Sequence, residues 1–107
     1  MAFQKKIDQL VTRLTELTES GKVSWEETAE EGTFLASVGK FVVTLGEFPS
    51  SQYRFRILDE KGKTIDEAWG TTGENWTLLS HLHELARRNA LHVEEALSDL
   101  LSSLEHI

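Results

Sequence analysis

Residues 33–69 read TFLASVGKFVVTLGEFPSSQYRFRILDEKGKTIDEAW, and this stretch decides the fold. Within it Tyr53, Phe55 and Ile57 alternate with Arg54 and Arg56, the period-two pattern of a strand with one apolar face. Phe34, Ala36 and Val38 share a face of an earlier strand over 33–38, and another strand runs from Phe41 to Phe48. Gly39-Lys40 between them is a tight-turn signal, so these two form a hairpin. Pro49-Ser50-Ser51 interrupts the pattern, and Asp59-Glu60-Lys61-Gly62 makes the next turn. A strand over 63–69 follows, with Ile65 and Trp69 as its expected inward residues. Links this short require antiparallel neighbours, because parallel pairing needs a long crossover.

On the amino-terminal side, Val23 and Trp25 alternate with Lys22, Ser24 and Glu26, which predicts one more half-buried strand. Residues 28–32 read as its connection to the hairpin. Before it, Phe3, Ile7, Leu10, Val11, Leu14 and Leu17 recur at spacings of three and four, which predicts a helix over 3–19. Gly21 supplies a left-handed stop just beyond.

On the carboxyl-terminal side, Gly70-Thr71-Thr72-Gly73 ends the sheet. Thr71 and Glu74 stand at capping-box spacing, with Asn75 as the other possible cap. Trp76, Leu79, Leu82, Leu85 and Ala86 then form a helical stripe to about Arg88, and Asn89 is the expected terminator. A second stripe comprises Val93, Ala96, Leu97, Leu100, Leu101 and Leu104. Two helices with a break near 89–92 are expected, one continuous bent helix being the alternative. The expected fold is α+β, in the order α-β-β-β-β(-β)-α-α. A single domain over 1–107 places an antiparallel meander against the N-terminal and C-terminal helices.

Composition narrows the functional classes. The 107 residues, 39% hydrophobic and 27% charged, suit one domain with one core. Eighteen acids against eleven lysines and arginines give a net charge of −7, a field that repels phosphate backbones and anionic lipid. Nucleic acid and membrane are therefore not expected partners. Cysteine is absent, which removes disulfides, thiolate metal sites and a cysteine nucleophile. The first residues, MAFQKKI, hold no apolar signal core, and a cytoplasmic protein is the expectation.

No motif carries chemistry. His81 and His83 are two apart and point in divergent directions on a helix, and the HExxH spacing is absent. These and His92 are expected to be solvated surface histidines. The pairs Glu26-Glu27, Glu30-Glu31, Asp66-Glu67 and Glu94-Glu95 are expected to be solvated too, since adjacent strand residues face opposite ways. Gly70–Gly73 lacks the GK[ST] ending of a phosphate loop, and no serine lies in GxSxG or SxxK. No catalytic residue, metal ligand or cofactor is predicted.

What remains is surface. Arg54 and Arg56 share a face of the central strand, where they either pair with Asp66 or Glu67 or take an acidic group. Trp69 and Trp76 flank the sheet-to-helix link, a place for a pocket edge or a partner contact. The face opposite the core mixes Leu35, Val42, Leu58 and Ala68 with polar residues. Three helical stripes exceed what one small sheet covers, which leaves Leu97, Leu101 and Leu104 as candidate interface residues. The leading expectation is a non-enzymatic protein-interaction domain of chaperone, immunity or adaptor type, self-associating as a homodimer. The alternative is a small-molecule-binding regulatory domain with a pocket between the sheet and the C-terminal helices.

Overall fold

A computed structural model describes residues 5–107. It has the expected α+β order: α1 (Lys5–Glu19), β1 (Glu26–Glu27), β2 (Thr33–Val38), β3 (Phe41–Phe48), β4 (Gln52–Leu58), β5 (Thr64–Gly70), α2 (Gly73–Ala90) and α3 (Val93–Glu105). The five strands form one antiparallel meander in sequence order. The expected break between two C-terminal helices falls at Leu91-His92.

One face of the sheet builds the core. Phe34, Ala36, Val43, Leu45, Tyr53 and Phe55 are buried there, beneath Leu79, Leu82 and Ala86 of α2. Ile7, Val11 and Leu14 of α1, a helix that packs against α2, join the same cluster. The α1 stripe follows the prediction through Ile7, Leu10, Val11 and Leu14, but its last buried residue is Thr18 rather than Leu17, and Phe3 lies outside the described residues. Gly21, at φ +77, ends the helix as expected: Lys22 N–H donates to the Leu17 carbonyl and Gly21 N–H to that of Thr18.

Several local expectations are corrected. The first strand covers only Glu26–Glu27, although Trp25 before it is buried. Trp25 is held by side chains rather than by a ladder: its backbone N–H donates to Asn89 Oδ1 at 2.6 Å and its indole N–H to Thr18 Oγ1 at 3.0 Å. Asn89 is consequently inside α2, and the left-handed residue at the helix break is His92, at φ 51. The N-cap of α2 is Thr72, one residue later than the capping-box spacing predicts, and its side chain makes no capping bond.

β5 is turned over relative to its prediction. Phe55 pairs with Ala68 and Tyr53 with Gly70, so the small residues of β5 face α2. Ile65 is exposed, and Trp69 is opposite Arg54 on the other face. The reason is steric. A Cβ on Gly70 would come within 2.8 Å of the Asn75 carbonyl oxygen and 3.1 Å of Leu79, so α2 can lie this close only over a residue without a side chain. The register irregularity beside Ile57 and Leu58 takes up the intervening Ile65.

Candidate interaction site

Among the described residues, two surfaces lack an intramolecular partner. The first is α3. Its predicted stripe is present, but no residue of the helix is buried, and its substantial contact is with α2 alone. Leu97, Leu100, Leu101 and Leu104 are 47%, 58%, 63% and 56% exposed. At 100° per residue the apolar positions from 93 to 104, with Ile107 beyond, occupy an arc of roughly 140°. Outside that arc stand Glu95 and Asp99, with Glu94 and Glu105 at its Leu101 border; the helix contains no lysine or arginine. Glu94 is bonded to Arg88 of α2 and His92 lies 3.9 Å from Glu95, contacts that fix the start of α3.

The second surface is the sheet face away from α2. Thr33, Gly46, Arg54 and Trp69 form one row across it, and Leu35, Thr44, Arg56 and Glu67 the next. Gly46 is the one buried member of these rows. Gly46 lies in the middle of the face, where a Cβ would meet Thr33 Oγ1 at 2.7 Å and the Phe48 ring at 3.3 Å. The absence of a side chain there leaves room for the Phe48 ring, which packs tilted against Trp69 with ring centroids 5.4 Å apart. Arg54 stacks on both rings, its guanidinium carbon 4.8 Å from the Phe48 centroid and 5.7 Å from that of Trp69.

Arg54 and Arg56 are adjacent on this face as predicted, but neither forms the anticipated ion pair. Arg56 is in register with Glu67, yet its guanidinium donates to Thr64 Oγ1 at 3.1 Å. Its Nε is buried without a hydrogen-bond partner, a state that costs free energy. Of the five arginines, Arg13, Arg87 and Arg88 each reach a glutamate; Arg54 and Arg56 reach no carboxylate among the described residues. Beside them a shallow depression of about 220 Å³ is lined by Thr28, Glu30, Thr33, Thr44 and both arginines.

The two tryptophans are not brought together. Trp76 packs edge-on against Tyr53, 6.2 Å between centroids, and its indole N–H donates to the Ser51 carbonyl at 2.7 Å. It therefore closes the β3–β4 turn, whereas Trp69 belongs to the opposite face of the sheet.

One of the histidines is placed differently from expectation. His83 is buried rather than solvated, between Phe34 and Tyr53 at centroid distances of 5.3 and 5.2 Å. Its Nε2–H donates to the Gly32 carbonyl at 2.8 Å. The signal was present in its spacing: His83 is four residues after Leu79 and three before Ala86, on the buried stripe of α2. Tyr53 OH donates to Glu47 Oε2 at 3.2 Å nearby, and burial first, then the Glu47 charge, raises the phenol above its ordinary pKa. A depression of about 290 Å³ opens beside this cluster, lined by Phe34, Glu47, His83, Arg87 and Leu91 among others. Arg87 is occupied there by a two-pronged bond to Glu84, which lowers the Glu84 pKa.

Among the described residues no group of three or more histidine, aspartate or glutamate side chains is placed to hold a metal ion, and no helix is long and apolar enough to cross a membrane. Comparison with protein-family models, with curated proteins and with solved structures found no match to this chain.

Proposed function

We propose that this chain is a non-enzymatic protein–protein interaction domain that associates with a second copy of itself through α3. The observation that carries the reading is the leucine stripe of α3, about half exposed and attached to a core that is complete without it. A stripe this regular is seldom left in water on a helix whose only task is to close a fold. Its acids lie outside the apolar arc, so burial of the leucines does not require burial of the charges.

Magnitudes bound what the stripe supplies. Half-exposed leucines retain about 1 kcal/mol each to be gained on burial. Four per copy give about 8 kcal/mol for a pair, against an association cost of roughly 4–15 kcal/mol. Leucines alone make a weak dimer, and a stable one needs further surface.

Sedimentation velocity at high micromolar concentration tests the reading. The wild type is expected as a dimer, and Leu97→Asp with Leu101→Asp as a monomer with unchanged circular dichroism. A wild type that sediments as a monomer throughout would sink it.

The second reading is a small-molecule pocket between the sheet and α2. The depression beside His83 favours it, but at about 290 Å³ that space is at the lower edge of ligand pockets. Neither Trp69 nor Trp76 lines it. Tryptophan fluorescence and thermal shift across a metabolite panel test this reading, and a panel without any shift counts against it.

A further inference from the structure

We propose that Asp66 guards the outer edge of β5, where its carboxylate holds the backbone N–H that a strand of a second copy would take. The guard is independent of the α3 reading, which concerns a different surface.

β5 is an edge strand: it pairs with β4 on one side and ends the sheet on the other. Such an edge presents a row of N–H and C=O groups on which another chain can pair. This edge also carries apolar surface that strand addition would bury, because Ile65 and Trp69 are 54% and 40% exposed.

The ladder determines which groups point outward. Asp59 N–H donates to the Lys63 carbonyl, so 59 and 63 form a hydrogen-bonded pair. In an antiparallel ladder such pairs alternate with pairs whose own N–H and C=O groups turn away from each other. Leu58 and Thr64 form a pair of the second kind. Ile57 and Asp66 follow as a bonded pair, across the irregularity that inserts Ile65. Arg56–Glu67 and Arg54–Trp69 are then again of the second kind. The outward groups of β5 are therefore those of Thr64, Glu67 and Trp69.

Two features spoil this row. The inserted Ile65 sets Thr64 three residues from Glu67, whereas a regular incoming strand meets outward groups every two residues. Only Glu67 and Trp69 keep that spacing, and the Glu67 donor is already taken. It donates to Asp66 Oδ1 at 2.8 Å. Asp66 is exposed, so the bond adds nothing to the core. Charge acts in the same direction. β5 holds two carboxylates and no lysine or arginine, so pairing of β5 with its own copy sets acids against acids.

The experiment compares two substitutions, each made in the native chain and in the Leu97→Asp, Leu101→Asp chain. The second background removes association through α3 from the comparison. Asp66→Thr takes away the acceptor and leaves a good strand former. It is expected to raise self-association in sedimentation by about tenfold or more, the worth of a hydrogen bond to a charged acceptor. The Glu67 and Trp69 amides should then exchange more slowly as concentration rises. Asp66→Asn keeps an acceptor oxygen and should sediment like its parent. An Asp66→Thr chain that sediments like its parent, with unchanged exchange at both amides, overturns the guard. An Asp66→Asn chain that associates as strongly as Asp66→Thr overturns the role of the bond.

Association through unfolded chains is recognised at Phe55, a buried residue of the central ladder. Its amide stays protected if strand addition is the cause, and loss of that protection in step with association counts against the proposal. The native chain supplies a measurement that no substitution can spoil. Its Glu67 amide should exchange about tenfold more slowly than the free rate for its sequence. Exchange at the free rate would show that Asp66 does not hold this N–H.

Discussion

His83 donates through Nε2 to the Gly32 carbonyl across 51 positions of sequence, and this 2.8 Å contact ties the middle of α2 to the loop that leads into the hairpin. The imidazole is 6% exposed, so its bond is made away from most competing water. His83→Leu keeps the apolar packing against Phe34 and Tyr53 but strands the carbonyl, and a loss of about 1–3 kcal/mol is expected. His83→Gln retains a donor and should lose less. The midpoint of urea unfolding at unchanged slope measures both. Equal losses for the two variants would show that ring packing, not the hydrogen bond, is what matters at this position.

Asn89 does the same service for Trp25. Its Oδ1 accepts the Trp25 backbone N–H, a donor left without a ladder partner because β1 begins only at Glu26. Asn89→Ala is expected to cost about 1–3 kcal/mol, a fall in melting temperature of roughly 4 °C or more for a domain of this size. Asn89→Asp keeps an acceptor oxygen and should restore most of the loss. A melting temperature for Asn89→Ala within a degree or so of the wild type would mean that water replaces the amide.

These contacts show which features the sequence makes legible. Alternation in Tyr53-Arg54-Phe55-Arg56-Ile57 reports burial directly, because a strand on one core has a fixed period of two. The hairpin, the α1 stripe, the helix break and the exposed α3 leucines follow from the same kind of periodicity. What periodicity cannot report is the distant group that a polar residue on or beside such a stripe satisfies. Thr18, His83 and Asn89 each satisfy such a group, and each partner is set by tertiary packing. The face assignment of β5 failed for a related reason. Trp69 is the bulky residue that the pattern places inward, but the space under α2 accepts only Gly70 and Ala68. The adjacency of Arg54 and Arg56 was readable from their spacing; their lack of carboxylates was not, because Glu67 is in register and still does not bond.

Gly70→Ala tests that steric account. The added methyl would meet the Asn75 carbonyl oxygen at 2.8 Å and Leu79 at 3.1 Å, and the first of these is backbone that cannot rotate away. A loss of about 1–3 kcal/mol is expected, as for other overpacked core sites. Gly62→Ala is a control of a different kind: open space surrounds that Cβ, so any loss there reflects only its φ of +84. A Gly70→Ala variant as stable as the wild type would show that α2 can move off the sheet at little cost.

Tyr53 makes alkaline stability a readout of the core, because it is the only tyrosine in the chain. Burial is the largest cause that raises its pKa above 10.0, followed by the charge and hydrogen bond of Glu47 and the charge of Glu84. The folded state therefore holds the phenolic proton more tightly than the unfolded state does. That contribution is fully present below the unfolded value, near 10, and is lost as pH rises through the higher folded value. Phenolate absorbance should titrate above 10 in the native protein, with stability falling over the same window. Tyr53→Phe removes this part of the alkaline loss, at the cost of about 1 kcal/mol at neutral pH for the bond to Glu47. Glu47→Gln removes the charge and should bring the phenol closer to its ordinary value without the burial contribution changing. A native titration midpoint at or below 10 would refute the placement of Tyr53 beneath α2, since a solvated phenol beside no charge has no reason to hold its proton longer.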